Sequence, residues 1–342
     1  MSNIDDCALI VGINDYKDNQ FVSLDGAVND ANNFEKWLLD PSGGDVPEAK
    51  ITKFVSEGDD ERPEFAEIED AIGELVVDAI AAKPDPMGRR LYLFMSGHGI
   101  TLGKLEECGL LTANASQTVP DRVVPGLKVA MAFKHGQAFD EVVLIMDCCR
   151  EVAFNKLDKD IHSLGMLDPP GGDATLLRAL AAKWDRDAGE RLLEVPGGNG
   201  ETQTQGLFAH AVLKGLRRGA NDAGDVTGES LKTFVEAEMT RLAPDQKPEV
   251  IWDNDFVLCS PGPSFTNVHI TVQDPSIDEF EIREGKFPFE VIDKPVTDQG
   301  GGTYEVDLSE GLYMMGWPPG NLDEYVGRES LEISGATSVF II

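Results

Sequence analysis

Two short polar clusters follow strongly apolar runs: Ser96-Gly97-His98-Gly99 after residues 90–95, and Asp147-Cys148-Cys149-Arg150 after residues 142–146. A cysteine attacks through its thiolate, and a histidine on the same rim can hold the thiol proton and later deliver it to a leaving amine. His98 and Cys149 are placed for that chemistry, each just past a run that reads as a central strand. The glycines flanking His98 let backbone approach a substrate closely, and the amide N–H groups of Gly99 and Cys149 are candidates for steadying an oxyanion. His135, His162, His210 and His269 stand alone and read as surface or core histidines.

The elements that must position these residues alternate. Residues 7–14 form a continuous apolar run, the pattern of a strand buried on both faces. Residues 24–39 carry apolar side chains at helical spacing (Leu24, Ala27, Val28, Ala31, Phe34, Trp37, Leu38) and stop at Asp40-Pro41. Residues 51–55 read as a second strand, 65–82 as a second helix closed by Lys83-Pro84, and 90–95 and 141–146 as further strands. Such alternation predicts a parallel sheet with right-handed crossovers and helices on both faces. Ligands bind beyond the carboxyl ends of such strands, where both polar clusters fall.

The stretch between Gly99 and Asp140 carries weak signals, and residues 151–205 are irregular around a fifth strand near 180–184. Long loops of this kind usually have a functional role. Residues 207–217 and 231–242 read as amphipathic helices and 248–258 as a last strand. From about residue 261 the grammar changes. Runs at 268–272, 287–292, 303–308, 312–315 and 330–333 are rich in β-branched and aromatic residues and separated by turn residues, which predicts a small β-sandwich. The expected organisation is an α/β domain over residues 1–261 and an all-β accessory domain over 262–342.

The 342 residues include 61 acidic and 29 basic side chains, a formal net charge of −32. That charge repels phosphate backbones and anionic membranes, so neither nucleic acid nor a membrane is an expected partner. A cationic peptide is attracted, although most of these carboxylates read as a solvated surface. No basic leader precedes the first apolar run, and no run approaches the roughly 18 residues of a membrane helix. Five cysteines at irregular spacing, none in a CxxC pair, argue against a disulfide framework or a zinc site and for a reducing, cytoplasmic location.

In this order the clusters resemble the SGHG and DxC signatures of caspases and metacaspases, and the separation of 51 residues (149 minus 98) matches the caspase histidine-to-cysteine distance. The likeness extends to Gly12-Ile13-Asn14-Asp15-Tyr16, to the segment from Leu24 to Ala31, to Gly206-Leu207-Phe208-Ala209 and to Gln246-Lys247-Pro248, so it covers roughly residues 5–260. It implies a caspase-like αβα sandwich with a mostly parallel central sheet, and a cysteine endopeptidase. The family pattern puts the nucleophile two residues after the aspartate, which selects Cys149 and leaves Cys148 as a small packing residue; Glu151 departs from the usual glycine.

The resemblance also implies an S1 pocket made by Asp30 and Asp147, where two carboxylates favour Arg or Lys and reject Asp. In the plainer reading Asp147 orders its loop and Asp30 serves a helix surface. Some metacaspases respond to calcium, for which the acidic stretches 57–61 and 158–160 are the places to look, with solvated loops as the ordinary alternative; no other cofactor and no resident metal are expected. Relatives are often cut in the loop after the nucleophile, where Lys156, Lys159, Arg178, Lys183, Arg186 and Arg191 fall in or near. The implied partners are protein or peptide substrates with a basic P1 residue and an upstream activating protease or regulator. The implied role is that of a regulated bacterial effector of defence or cell death. Two other readings stand beside it: a silent scaffold working through its β-domain, and a receiver domain phosphorylated on Asp147, which leaves Gly97-His98-Gly99 without a purpose.

Overall fold

The structure, a computed structural model, describes residues 5–56, 62–102, 107–116, 121–148, 161–167, 174–181, 189–198, 200–221, 223–262, 266–274, 276–277, 279–284, 290–292, 295–308, 311–321, 325–333 and 337–341. The chain divides into two compact units, one of Met1–Asn221 with Asp225–Pro261 and one of Asp222–Gly224 with Gly262–Ile342.

The first unit is built on a six-stranded sheet. Its strands are β1 (Cys7–Gly12), β2 (Ile51–Val55), β3 (Gly88–Gly97), β7 (Phe139–Cys148), β8 (Thr175–Leu180) and β12 (Glu249–Trp252), in the spatial order β12-β8-β7-β3-β1-β2. All pairs are parallel except β12, which runs antiparallel to β8 at one edge. Side chains alternate across the pleat. Leu9, Val11, Leu93, Met95, Leu144 and Met146 face the helices α2 (Phe65–Ala82) and α3 (Gly126–His135). Ile10, Tyr92, Phe94, Val143 and Ile145 face α1 (Ala27–Leu39), α4 (Leu207–Arg218) and α5 (Gly228–Leu242). Helices on both faces explain why the central strands read as unbroken apolar runs.

The chain steps from β1 outward to β2 and then back across to β3, so the strand order reverses between β1 and β3. At such a switch point the loops leaving the two strands diverge and open a crevice. Ser96-Gly97-His98 lies there.

Several elements differ from the sequence expectation. The first helix begins at Ala27 instead of residue 24, because Leu24 N–H bonds Asn14 O in a turn and Asn14 Oδ1 accepts the Val28 N–H. The weak stretch after His98 holds a three-stranded antiparallel sheet of β4 (Gly99–Leu102), β5 (Glu107–Leu111) and β6 (Val123–Pro125), followed by α3; strands of three to five residues give too little periodicity to read. The fifth strand ends at Leu180, and residues 182–188 lie outside the described ones. The breaker expected at 196–200, of which residue 199 lies outside the described ones, falls between β9 (Glu190–Glu194) and β10 (Thr202–Gly206), which pair as a hairpin. The expected last strand is two pieces, β12 and β13 (Val257–Cys259), the latter paired with β11 (Val226–Thr227).

The second unit packs the sheet β16-β17-β14-β20 against β15-β18-β19. These strands are β14 (Thr266–Thr271), β15 (Glu281–Glu284), β16 (Thr297–Gly300), β17 (Thr303–Leu308), β18 (Gly311–Trp317), β19 (Gly327–Ile333) and β20 (Thr337–Ile341). Val268, Ile270, Val306 and Leu308 of one sheet share a core with Ile282, Met315 and Leu331 of the other, a sandwich arrangement. Of the run expected at 287–292, residues 287–289 lie outside the described ones, and Val291 makes one isolated bridge to Arg283.

One buried ion ties the first unit together. Arg90 in β3 is fully buried and donates to Glu141 and Tyr92 Oη, and to the carbonyls of Val257 and Leu258, at 2.6–2.8 Å. Removing the guanidinium leaves the Val257 carbonyl, the buried Leu258 carbonyl and the Glu141 carboxylate without this donor. Arg90→Met is expected to lose about 3 kcal/mol or more of unfolding free energy in urea titration.

Candidate active site

The β3–β7 ladder sets the site. Ser96 stands opposite Asp147 and Gly97 opposite Cys148, so the next residue on each chain is His98 on one and Cys149 on the other. Cys149 itself lies outside the described residues, as do Arg150 and Glu151. Cys148 is 1 % exposed within the α2–α3 side of the core, its Sγ 3.6 Å from Met95 O. That thiol is a packing group, as expected of it.

His98 is half-buried and held by the β1–α1 segment, residues 13–26. Its Nε2 lies 2.7 Å from Val22 O. A carbonyl can only accept, so Nε2 carries the hydrogen and the lone pair falls on Nδ1. The His98 backbone N–H donates to Tyr16 Oη at 2.7 Å, and the imidazole lies against the Tyr16 and Phe21 rings with centroids 4.9 and 6.1 Å away. Gly97 makes this approach feasible: its φ is +151°, and a Cβ there would meet Tyr16 Oη at 2.8 Å. Gly99 is buried at the start of β4, opposite Leu110 of β5.

Asp30, from the first turn of α1, and Asp147, near the end of β7, are brought together in the interior, 1 % and 5 % exposed. Ser96 Oγ donates to Asp30 Oδ2 at 3.0 Å, and Gly206 N–H reaches both Asp30 oxygens at 3.1 Å. Ala209 N–H, in the first turn of α4, donates to Asp147 Oδ2 at 2.8 Å. None of these partners is a cation. Burial first, and then repulsion by Asp147, hold the Asp30 carboxyl well above the usual carboxylate range. Burial pushes Asp147 up to about 7, with the Ala209 N–H pulling down and Glu190 pushing further up. Asp30 thus lies in the interior and not on a helix surface.

Sequence reasoning passed over Val22, whose part is played by its carbonyl, and Tyr16, which it quoted without a role. It also passed over Glu190, on a strand it read as irregular chain. Arg178 pairs with Glu249 in the β8–β12 ladder, and Arg191 is exposed on β9; Lys156, Lys159, Lys183 and Arg186 lie outside the described residues, as do the acidic stretches 57–61 and 158–160. Among the described residues no group of three or more His, Cys, Asp or Glu side chains is placed to hold a metal, and no helix is long and apolar enough to cross a membrane.

A comparison with family descriptions decides the class: the sequence matches the caspase domain over residues 5–254, well over half the chain. The chain belongs to the caspase family. It is therefore a cysteine-type peptidase acting on protein substrates. Among solved structures, the caspase-like chain is similar to caspase-1 from Spodoptera frugiperda, at 15 % identity and a TM-score of 0.46, over 73 % of this chain and 87 % of that one. A search of curated proteins finds no match.

The pair is crowded by Gly206, where a Cβ would meet the carboxylate oxygens of both Asp147 and Asp30. Gly206→Ala is expected to leave the fold intact but displace the carboxylates, lowering kcat/KM on a peptide substrate by about a hundredfold. Thermal unfolding measured alongside separates this from loss of the fold.

Proposed function

We propose that this caspase-family peptidase cleaves proteins after arginine or lysine, with Cys149 as nucleophile and His98 as general acid and base. The observation that carries the specificity is the buried Asp30–Asp147 pair with no cation among its partners in the described residues. A guanidinium or ammonium entering between them neutralises the repulsion and takes up the unused acceptor capacity; an aspartate side chain adds a third buried charge.

His98 Nδ1 takes the Cys149 proton, and the Val22 carbonyl keeps the resulting imidazolium in place through Nε2–H. The thiolate attacks the scissile carbonyl, and the oxyanion is steadied by the N–H groups of Gly99 and Cys149. The imidazolium protonates the leaving amine, and water, deprotonated by the same imidazole, then hydrolyses the thioester. By family resemblance we place the protein among regulated cytoplasmic bacterial effectors of defence or cell death, activated by an upstream protease or regulator, with the second unit as a docking element. Cys7, Cys108 and Cys259 are free thiols, which fits a reducing compartment.

Hydrolysis of peptides ending in Arg, Lys or Asp by the wild type and by Cys149→Ala tests this. Cleavage after Arg or Lys that disappears in the variant is expected; cleavage after Asp overturns the pocket, and activity retained by the variant overturns the nucleophile.

The pair also makes a stability prediction. Both carboxyls titrate at higher pH in the folded chain than in the unfolded one, where an aspartate titrates near about 4. The folded state therefore holds protons the unfolded state has lost, and the pair's contribution to stability falls as pH rises from about 4 through about 7. Asp147→Asn should melt several degrees above the wild type near pH 8, match it near pH 4, and lose turnover of arginyl peptides. Differential scanning at the two pH values checks the sign.

A further inference from the structure

Among the described residues β9 and β10 pair only with each other, and polar contacts tie this hairpin to α1. Asn29 Nδ2 donates to Thr204 O at 2.9 Å, Asn33 Nδ2 to Gln203 Oε1 at 3.4 Å, and Gly206 N–H to Asp30. The Glu190 carboxylate accepts the backbone N–H groups of Asp25 at 3.1 Å and Gly26 at 2.8 Å. Gly26 is the N-cap of α1 and has no side chain to serve the helix end. Glu190 thus supplies, from 164 residues away, an anionic acceptor at a helix N-terminus, where negative charge is favoured.

The segment that Glu190 grips is the one that holds His98. Val22, whose carbonyl orients the imidazole, stands three residues before Asp25. Apart from Glu190, the stretch is held by Lys17 N–H on Ala113 O, Leu24 N–H on Asn14 O and the Tyr16 and Phe21 rings packed beside His98. Val22 is 74 % exposed, and Asn19, Gln20, Ser23 and Asp25 are exposed too. A segment with so few buried apolar contacts keeps its geometry only where hydrogen bonds fix its ends. One end is fixed by Tyr16 against His98, the other by the Leu24–Asn14 bond and, next to it, by Glu190.

We propose that Glu190 is a positioning residue that couples the two halves of the site: seating of the β9–β10 hairpin on α1, through the Glu190 carboxylate, fixes the Val22 carbonyl and hence the orientation of His98. This rests on reading His98 and Cys149 as the dyad. The hairpin carries Gly206 to the two aspartates, so the same contact that completes the basic pocket also aligns the base. The dyad is competent only when the pocket is built.

The test uses the full-length chain, wild type, Glu190→Gln, Glu190→Ala and His98→Ala, with two readouts. The first is the rate at which iodoacetamide, a small neutral reagent that does not fill the pocket, alkylates Cys149, followed by peptide mass spectrometry. The second is kcat and KM on an arginyl or lysyl peptide. Glu190→Ala is expected to lower both the alkylation rate and kcat by about tenfold or more, with KM changing less. Glu190→Gln keeps one acceptor oxygen and should recover part of the loss, and it decides the matter where the alanine variant does not fold. Wild-type alkylation with only KM raised would confine Glu190 to the hairpin and overturn the coupling. Failure of the wild type to cleave after Arg or Lys removes the basic pocket but leaves the alkylation result to decide the coupling. Alkylation of wild-type Cys149 no faster than in His98→Ala removes the dyad, and the proposal with it.

Discussion

Asp30 and Asp147 share a pocket from which water is nearly excluded, with neutral donors from Ser96, Gly206 and Ala209 and no positive charge to balance them. Two carboxyls so placed cannot both ionise without strong repulsion, and each is held above its ordinary pKa. Much of the surrounding architecture serves to keep them there. The β3–β7 register sets Ser96 opposite Asp147, the first turn of α4 aims Ala209 N–H at the Asp147 carboxylate, and Gly206 passes close enough that no side chain fits. On the specificity proposed above, the entry of a cationic side chain restores the stability that this arrangement sacrifices in the free enzyme, and recognition of a basic residue is stored in the fold as repulsion.

His98 and the aspartate pair are adjacent because of topology. The reversal of strand order between β1 and β3 opens the crevice, and the β1–α1 segment runs along it, touching His98 at Tyr16, Phe21 and Val22 and reaching Asp30 four residues after Gly26. The sheet below is rigid, with cores on both faces and Arg90 binding β3 to the carbonyls of Val257 and Leu258.

The amino-acid sequence made the central sheet legible because strands buried on both faces are unbroken apolar runs: residues 7–13, 91–95 and 142–146 each announced themselves. His98, Asp30 and Asp147 were singled out through family motifs, and the structure places the two aspartates close together in the interior. The short strands β4, β5 and β6 were not, since antiparallel pieces this brief take their stability from neighbours and not from a pattern of their own. Glu190 was hidden for a related reason, lying on an exposed strand of mixed composition whose meaning comes from contact with residues 25 and 26, far away in the chain. Val22 could not be read at all, because its contribution is a backbone carbonyl that any residue supplies.

The most direct test of the stored repulsion is calorimetric titration of the enzyme with a peptidyl argininal at near-neutral pH, in buffers of different ionisation enthalpy. Asp30 and Asp147 predict a net release of protons on binding, lost in Asp147→Asn. Binding of the argininal without proton release, or tighter binding of the matching aspartyl aldehyde, would contradict the account.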